Sequence, residues 1–422
     1  MEMTEKPHLV VFSTLFPHAG APNAGPFIRE RMFRVGEVLP LTVVSPQPWF
    51  PGQSLLRRWK PHFRPDTTPR ESQQGIEVLH PTFFSVPGAF KQLDGLFMAL
   101  GSYFTLKKLR RTGKLDILDA HFAYPDGYAA TLLGKWLDVP VTITLRGTEL
   151  LHSKNAKLRP LLVRALQSAT RVFSVSDSLR RHAVSLGIAA DKIRVVGNGV
   201  DSDKFHRVDR AEARAQLGIG ADTPVLISVG GLVERKGFHR VIECLLELRV
   251  HFPELVYLIV GGASAEGDMR AELEQQVAAL GLQDTVRFLG IMPAASLKWP
   301  LSAADVFVLS TRNEGWANVF LEAMACGLPV ITTDVGGNAE VVCRDELGSV
   351  VPFDDRAALG AALASALAKD WDRAAILAYA RDNNWQKRVA VLVEEFSALQ
   401  TGKLCARAAV KPVSLNKGGH LG

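Results

Sequence analysis

Short, wholly apolar runs recur along the chain, with longer stretches of helical spacing between them. The runs at 8–13, 41–45, 117–120, 141–145, 172–175 and 193–196 are rich in Val, Ile and Leu and show little apolar–polar alternation. That pattern predicts parallel strands covered on both faces. Apolar positions three and four apart predict helices at 27–36, 127–136 and 158–168. The alternation breaks at 200–223, where charge, Gly and Pro interrupt it, and then restarts. Strands are predicted at 225–229, 256–260, 286–288, 306–309, 330–332 and 349–351, with helices at 236–250, 268–280, 319–326 and 357–368. Each series builds a doubly wound α/β sheet. Two series predict two Rossmann-like domains facing across a cleft: residues 1–205 and 206–384, a helix at 385–400 crossing back to the first, and a flexible basic tail at 401–422.

Composition narrows the class. Apolar residues are 47% and charged residues 22% of the 422, an ordinary globular profile that excludes disordered, collagenous and coiled-coil chains. The four cysteines, Cys244, Cys326, Cys343 and Cys405, are scattered with no C-x-x-C pair. This argues against a disulfide framework or zinc site and fits a reducing compartment. The N-terminal segment does not read as a secretory signal. No apolar run approaches the roughly 18 residues of a membrane span, so a cytoplasmic protein is expected. The net charge of +6 conceals an asymmetry: residues 1–205 hold 27 Lys and Arg against 17 Asp and Glu, whereas residues 206–402 hold 18 against 26. A basic and an acidic half suggest different partners, although uneven charge is also common in two-domain proteins.

The densest chemistry lies at 310–333, STRNEGWANVFLEAMACGLPVITT. A predicted strand ends in a polar loop, and a helix begins near Ala317. Asn318 and Val319 would present backbone N–H groups at the helix N-terminus, which suits an anionic phosphate. Glu314 precedes that helix and Glu322 lies within it, with seven residues between them. Glu322 is placed to accept from paired hydroxyls such as those of a ribose, and Glu314 to point into the cleft mouth.

This E-x7-E segment, followed by EAMACGLPVITT and DVGGNAEVV, closely resembles the retaining GT-B glycosyltransferases of family 4. The resemblance is strongest over 225–345 and looser in the first domain. It implies that SVGGLVERKG (228–237) holds the donor diphosphate, with Lys236 matching the family lysine and making charge-assisted contacts to phosphate. Gly231 stands where the common pattern has arginine, and Arg235 is the substitute base. In STLFPHAGAPNAGPFIRE (13–30) the resemblance implies a glycine loop near the donor phosphates, with Gly20 and Gly25 as the residues concerned. The family's double glycine is absent there, since Pro26 follows Gly25.

His121, at a strand end in DAHFAYPDGYAA, matches a family histidine near the transferred sugar; alone, such a residue is more often structural. Arg146, ending the next strand, is placed toward the acceptor or is simply an ion-pair residue. Asn198 and Gly199 in VGNGVD shape a turn at the cleft. Asp201-Ser202-Asp203 is a literal D-x-D, the metal motif of the other glycosyltransferase fold, but here it falls in the linker loop, and no metal or other cofactor is expected.

The implied activity is transfer of a hexosyl-type unit from a nucleotide-diphosphate sugar to a hydroxyl of a saccharide or lipid-linked saccharide acceptor, with retention, in polysaccharide or cell-envelope glycan synthesis. The alternatives are a nucleotide-sugar epimerase of the same fold and a non-catalytic nucleotide-sugar-binding protein. No phosphate-loop motif, dinucleotide fingerprint or G-x-S-x-G elbow accompanies it.

One further segment stands apart. Residues 83–114 read as a Phe-rich helical pattern running into Lys107, Lys108, Arg110, Arg111 and Lys114, and 55–64 adds bases beside Trp59 and Phe63. The combination suits an anionic membrane surface, or equally a core helix with a solvated basic end. Nucleic acid is not expected, because no recognition module accompanies the charge.

Overall fold

The computed structural model describes residues 6–22, 24–59, 63–264 and 266–401. The tail beyond 401 and residues 60–62 of the 55–64 segment lie outside the described residues.

The first sheet is built from β1 (Leu9–Phe12), β2 (Leu41–Val44), β4 (Arg70–Gln73), β5 (Ile76–Leu79), β7 (Ile117–His121), β8 (Val141–Leu145), β9 (Arg171–Ser174) and β10 (Ile193–Val195). Its order is β10-β9-β8-β7-β1-β2-β5-β4, parallel throughout except for β4 at the edge. Two short strands, β3 (Gln47–Trp49) and β6 (Thr82–Phe84), form a separate parallel pair. The second sheet holds β11 (Val225–Val229), β12 (Val256–Val260), β13 (Val286–Gly290), β14 (Val306–Leu309), β15 (Val330–Thr333) and β16 (Gly348–Val351) in the order β13-β12-β11-β14-β15-β16, all parallel. Its strand order reverses between β11 and β14, and open α/β sheets bind ligands at the carboxyl ends of strands flanking such a reversal.

The short strands β3 to β6 have little periodic signal because they are only partly buried; β4, at the sheet edge, reads RESQ and is half exposed. The 83–114 pattern divides. Residues 82–84 join β6, Gly88 takes a left-handed φ of +72°, and the helix runs only from Asp94 to Arg111. Pro87 and Gly88 account for the break, since neither continues a helix.

The last described helix, Trp385–Gln400, is capped by Asn384, whose side chain accepts from Lys387 N. It buries Val389, Leu392 and Phe396 against Ile28, Phe33 and Phe173 of the first sheet's cluster, and Arg171 pairs with Glu395. The chain thus leaves the second sheet and finishes on the first. Its two crossings lie side by side: Val200 N donates to Asn383 O at 3.1 Å and Trp385 N to Val200 O at 3.3 Å. Gly199 permits this, because a Cβ there would sit 2.6 Å from Trp385 N.

Candidate active site

The loops after β11 and β14 touch each other. Gly237, which opens helix Phe238–His251, has φ +75°, and a Cβ on it would stand 1.8 Å from Ser310 O; only glycine allows that approach. The packing turns Lys236 toward Glu314. Lys236 Nζ donates to Glu314 Oε1 at 2.5 Å, and Arg235 Nη1 reaches the same oxygen at 3.2 Å. Arg235 also forks onto Glu266, through Nε at 2.6 Å and Nη2 at 2.7 Å. That fork holds Arg235 firmly cationic and draws the Glu266 carboxyl below its ordinary range. At Gly231, a side chain would begin 3.2 Å from Ser264 Cβ, and Arg235 in the following turn lines the same cavity.

Helix Asn318–Ala325 starts after Ala317, a residue with no side-chain acceptor to cap it. Its first N–H groups are therefore left for the cavity beside them. Asn318, Val319 and Glu322 line that cavity, Glu322 one turn after Asn318. Burial pushes the Glu322 carboxyl up to about 7. The cavity measures about 580 Å³ and also takes Arg235, Lys236 and Glu314 into its wall.

The opposite wall comes from the first sheet: Pro26 and Phe27 at the start of helix Pro26–Gly36, with Arg146 and Asn198. Gly25 is not part of the wall. It has φ +64° and a Cβ would stand 2.6 Å from Leu15 O, so this glycine serves the turn that delivers Pro26 and Phe27. Gly20 is likewise a packing residue, pressed on Asp66 O.

His121 also departs from its expected place around the sugar. It is fully buried at the end of β7 and does not line the cavity; Arg146, which does, covers it. Arg146 Nε donates to His121 Nδ1 at 3.0 Å, and the guanidinium lies 5.0 Å from the Phe27 ring centre. Because Nδ1 accepts, the neutral ring carries its proton on Nε2, which faces Asp119 Oδ2 at 3.3 Å. Burial, aided by the Arg146 charge, pulls the imidazole down to about 4. In this arrangement His121 holds Arg146 by hydrogen bond instead of facing the cavity itself. Glu149 fixes the same turn by accepting from Arg146 N at 3.2 Å and Gly147 N at 2.7 Å.

The structure adds residues that sequence reasoning missed. Asn198 does more than shape a turn: its Nδ2 donates across the cleft to Asn318 Oδ1 at 2.8 Å, while its Oδ1 accepts from Arg31. Trp316 packs on Gly197, where a Cβ would stand 2.8 Å from the indole, and Gly315 meets Arg146 O at 2.3 Å on the same measure. The signal was present as glycines facing loops, but nothing local pairs a glycine with its partner. Asp201 of the D-x-D accepts from Asp203 N and Lys204 N and pairs with Arg34 at 2.5 Å, so its oxygens serve the linker turn.

Comparison with known proteins places this architecture. Residues 209–383 match the family described as glycosyl transferases group 1, and residues 55–204 match Glycosyltransferase Family 4. A D-inositol 3-phosphate glycosyltransferase from Xylanimonas cellulosilytica is 31% identical over 77% of this chain and 82% of its own length. A putative teichuronic acid biosynthesis glycosyltransferase, TuaC of Bacillus subtilis, is 27% identical over 90% of both chains. Among solved structures, Anabaena HepE in complex with UDP superposes with a TM-score of 0.70 at 20% identity, covering 92% of this chain and 99% of its own.

Proposed function

The chain belongs to the glycosyl transferases group 1, a GT-B glycosyltransferase of glycan synthesis, and on that premise we propose that it moves a hexosyl unit from a nucleoside-diphosphate sugar to a hydroxyl of a saccharide or lipid-linked saccharide, with retention and without a metal ion. The observation that carries this reading is the Glu314 carboxylate held by Lys236 and Arg235 at the mouth of a cavity whose floor is a helix N-terminus.

Negative charge develops on the departing diphosphate as the glycosidic bond breaks, and stabilising it is the main electrostatic task. Lys236, Arg235 and the N–H groups of Asn318 and Val319 converge on one region of the cleft for that purpose. A bound diphosphate would take Lys236 from Glu314 and free that carboxylate to accept from a sugar hydroxyl. Glu322, one turn along, would accept from the ribose hydroxyls. Retention is supplied by same-face displacement: the anomeric carbon–phosphate oxygen bond breaks, the acceptor oxygen bonds to that carbon, and the acceptor proton leaves on the phosphate oxygen. This balances without a protein nucleophile.

The experiment is a panel of nucleoside-diphosphate sugars screened by thermal shift, then transfer to free and lipid-linked saccharides with the product anomer read by NMR. Conversion of a donor sugar with no acceptor present would identify an epimerase instead, and binding with neither transfer nor hydrolysis a non-catalytic protein. Turnover abolished by a chelator would overturn metal independence.

A second surface supports a peripheral membrane location. On helix Asp94–Arg111, Leu96, Leu100 and Phe104 recur every fourth residue and are solvent-exposed, Phe104 by 78%. Tyr103 links Phe104 to the exposed Trp136 through ring contacts of 5.4 and 6.0 Å. Lys107, Lys108 and Arg111 follow on the same helix. An exposed apolar stripe ending in bases suits an anionic bilayer interface. No helix among the described residues is long and apolar enough to cross a membrane.

A further inference from the structure

The segment after β15 connects the two halves of the molecule at a point beyond the cavity. Helix Asn338–Val341 carries Glu340, whose carboxylate crosses to the first domain. Its Oε2 accepts from Asp177 N at 2.6 Å and its Oε1 from Ser178 N at 2.7 Å. These are the first two N–H groups of helix Asp177–Ser185, which leave the remaining capping to Ser176, whose side chain accepts from Leu179 N. A carboxylate gripping two such donors is held both by charge-assisted hydrogen bonds and by the positive end of the helix dipole. The Asp177 side chain is turned away, onto Arg180 and Arg181.

The same segment presses on the donor side. Gly336 has φ +55°, and a Cβ on it would stand 1.7 Å from Glu314 O; a Cβ on Gly337 would stand 2.7 Å from Gly315 O and 3.0 Å from Ser176 Cβ. Asn338 anchors it from below, donating to Thr332 Oγ1 and Thr333 O. One short stretch therefore touches the backbone of Glu314 on one side and the first domain on the other.

We propose that Glu340 is a positioning residue for transfer: docking of its carboxylate on the Asp177–Ser185 helix latches the two domains in the closed arrangement and sets Glu314 against the acceptor side. The assignment rests on the glycosyl-transfer reading. Closure of this kind aligns reacting groups and keeps water from the donor. Donor binding to the second domain, in contrast, uses Lys236 and Glu322 and does not need the latch.

Glu340→Gln replaces one accepting oxygen by an amide that cannot face an N–H. Asp177→Pro removes one of the two donors, at the first helical position where proline is tolerated. Each variant is expected to lower kcat for transfer about tenfold or more, with binding of the free nucleoside diphosphate unchanged within about twofold by calorimetry and a larger share of donor lost to hydrolysis. The double variant should be no worse than the worse single one. Deuterium uptake at the Asp177 and Ser178 amides should rise in Glu340→Gln, a readout that needs no substrate. Unchanged uptake would overturn the contact. Raised uptake with wild-type kcat and partition would overturn the positioning role. A wild-type protein that transfers from no donor would count against the glycosyl-transfer reading, while uptake would still report on the latch.

Discussion

Lys236 Nζ and Glu314 Oε1 lie 2.5 Å apart across the loops that follow β11 and β14. The base assigned to the donor diphosphate and the carboxylate assigned to the sugar neutralise each other when no donor is present. Glu314 is only 10% exposed at its side chain, so the pair is substantially desolvated and breaking one partner leaves the other uncompensated. On the proposed glycosyl-transfer reading, a diphosphate would compete for the lysine more strongly than one carboxylate, and donor binding would be the event that releases Glu314.

Lys236→Ala and Glu314→Ala should therefore each lower kcat for transfer by about 10²–10³-fold, the scale of losing one charge-stabilising group from a desolvated site. Circular dichroism should show both variants folded. Turnover within a few-fold of wild type in either one would remove that residue from the site.

If Glu322 holds the ribose as proposed, nucleotide binding should depend on pH. Its carboxyl is raised from 4.5 to about 7 by burial, while ribose hydroxyls bond more strongly to the ionised form. Affinity for a nucleoside diphosphate should strengthen as pH rises through about 7, with proton release detectable by calorimetry in two buffers of different ionisation enthalpy. Glu322→Gln should bind more weakly and lose that pH dependence. In the absence of ligand the sign is opposite. A raised native pKa means stability falls as pH climbs from 4.5 to about 7, so Glu322→Gln should be more stable than wild type near pH 8 by about 1–3 kcal/mol, and no different below pH 4.5. Urea melts at the two pH values check this.

The buried imidazole of His121 behaves in the contrary sense. Its native pKa of about 4 lies below the ordinary 6.5, so the unfolded chain takes up the proton first. Stability is fully present above pH 6.5 and declines by about 3 kcal/mol as pH falls to about 4. His121→Asn should lack this part of the acid sensitivity. It should also retain more acceptor binding than His121→Ala, because an amide oxygen replaces the Nδ1 acceptor for Arg146. The acceptor KM in the two variants decides whether His121 works through Arg146.

The exposed stripe gives a separate expectation. Phe104→Ser, or Lys107→Glu with Lys108→Glu, should lower pelleting with vesicles containing anionic lipid by about tenfold or more, since a buried aromatic contributes roughly 1.5–3 kcal/mol and each base about 1 kcal/mol at such a surface. Unchanged pelleting would exclude this helix as the contact. High salt should mimic the charge reversals and leave the effect of Phe104→Ser visible.

The alternation of apolar runs and helical spacing made the two sheets legible, because a parallel strand covered on both faces must be apolar on both. The short, partly exposed strands β3 to β6 were not legible, since strands that leave one face or edge to solvent make no such demand. The candidate site divides in the same way. Glu314, Asn318 and Glu322 could be placed relative to one another because a strand end, a helix start and the helical pitch are local. His121 and Gly25 could not be placed, because whether a strand-end residue reaches the cleft depends on what covers it: Arg146 for the first, Leu15 for the second.

What the sequence determined alone is thus the set of elements and the chemistry available at each strand end, which short-range periodicity carries. The tertiary structure decided which of those groups meet. Lys236 and Glu314 are 78 residues apart, Asn198 and Asn318 are 120 apart, and Glu340 and Asp177 are 163 apart. Lys236 and Glu314 meet because β11 and β14 are neighbours in one sheet and Gly237 lets their loops touch, whereas the other two pairs form because the two sheets are held at a set distance by the adjacent crossings at Val200 and Trp385 and by glycines that let the backbones approach. That distance is set by packing across the cleft, and no local pattern of hydrophobic and polar residues encodes it.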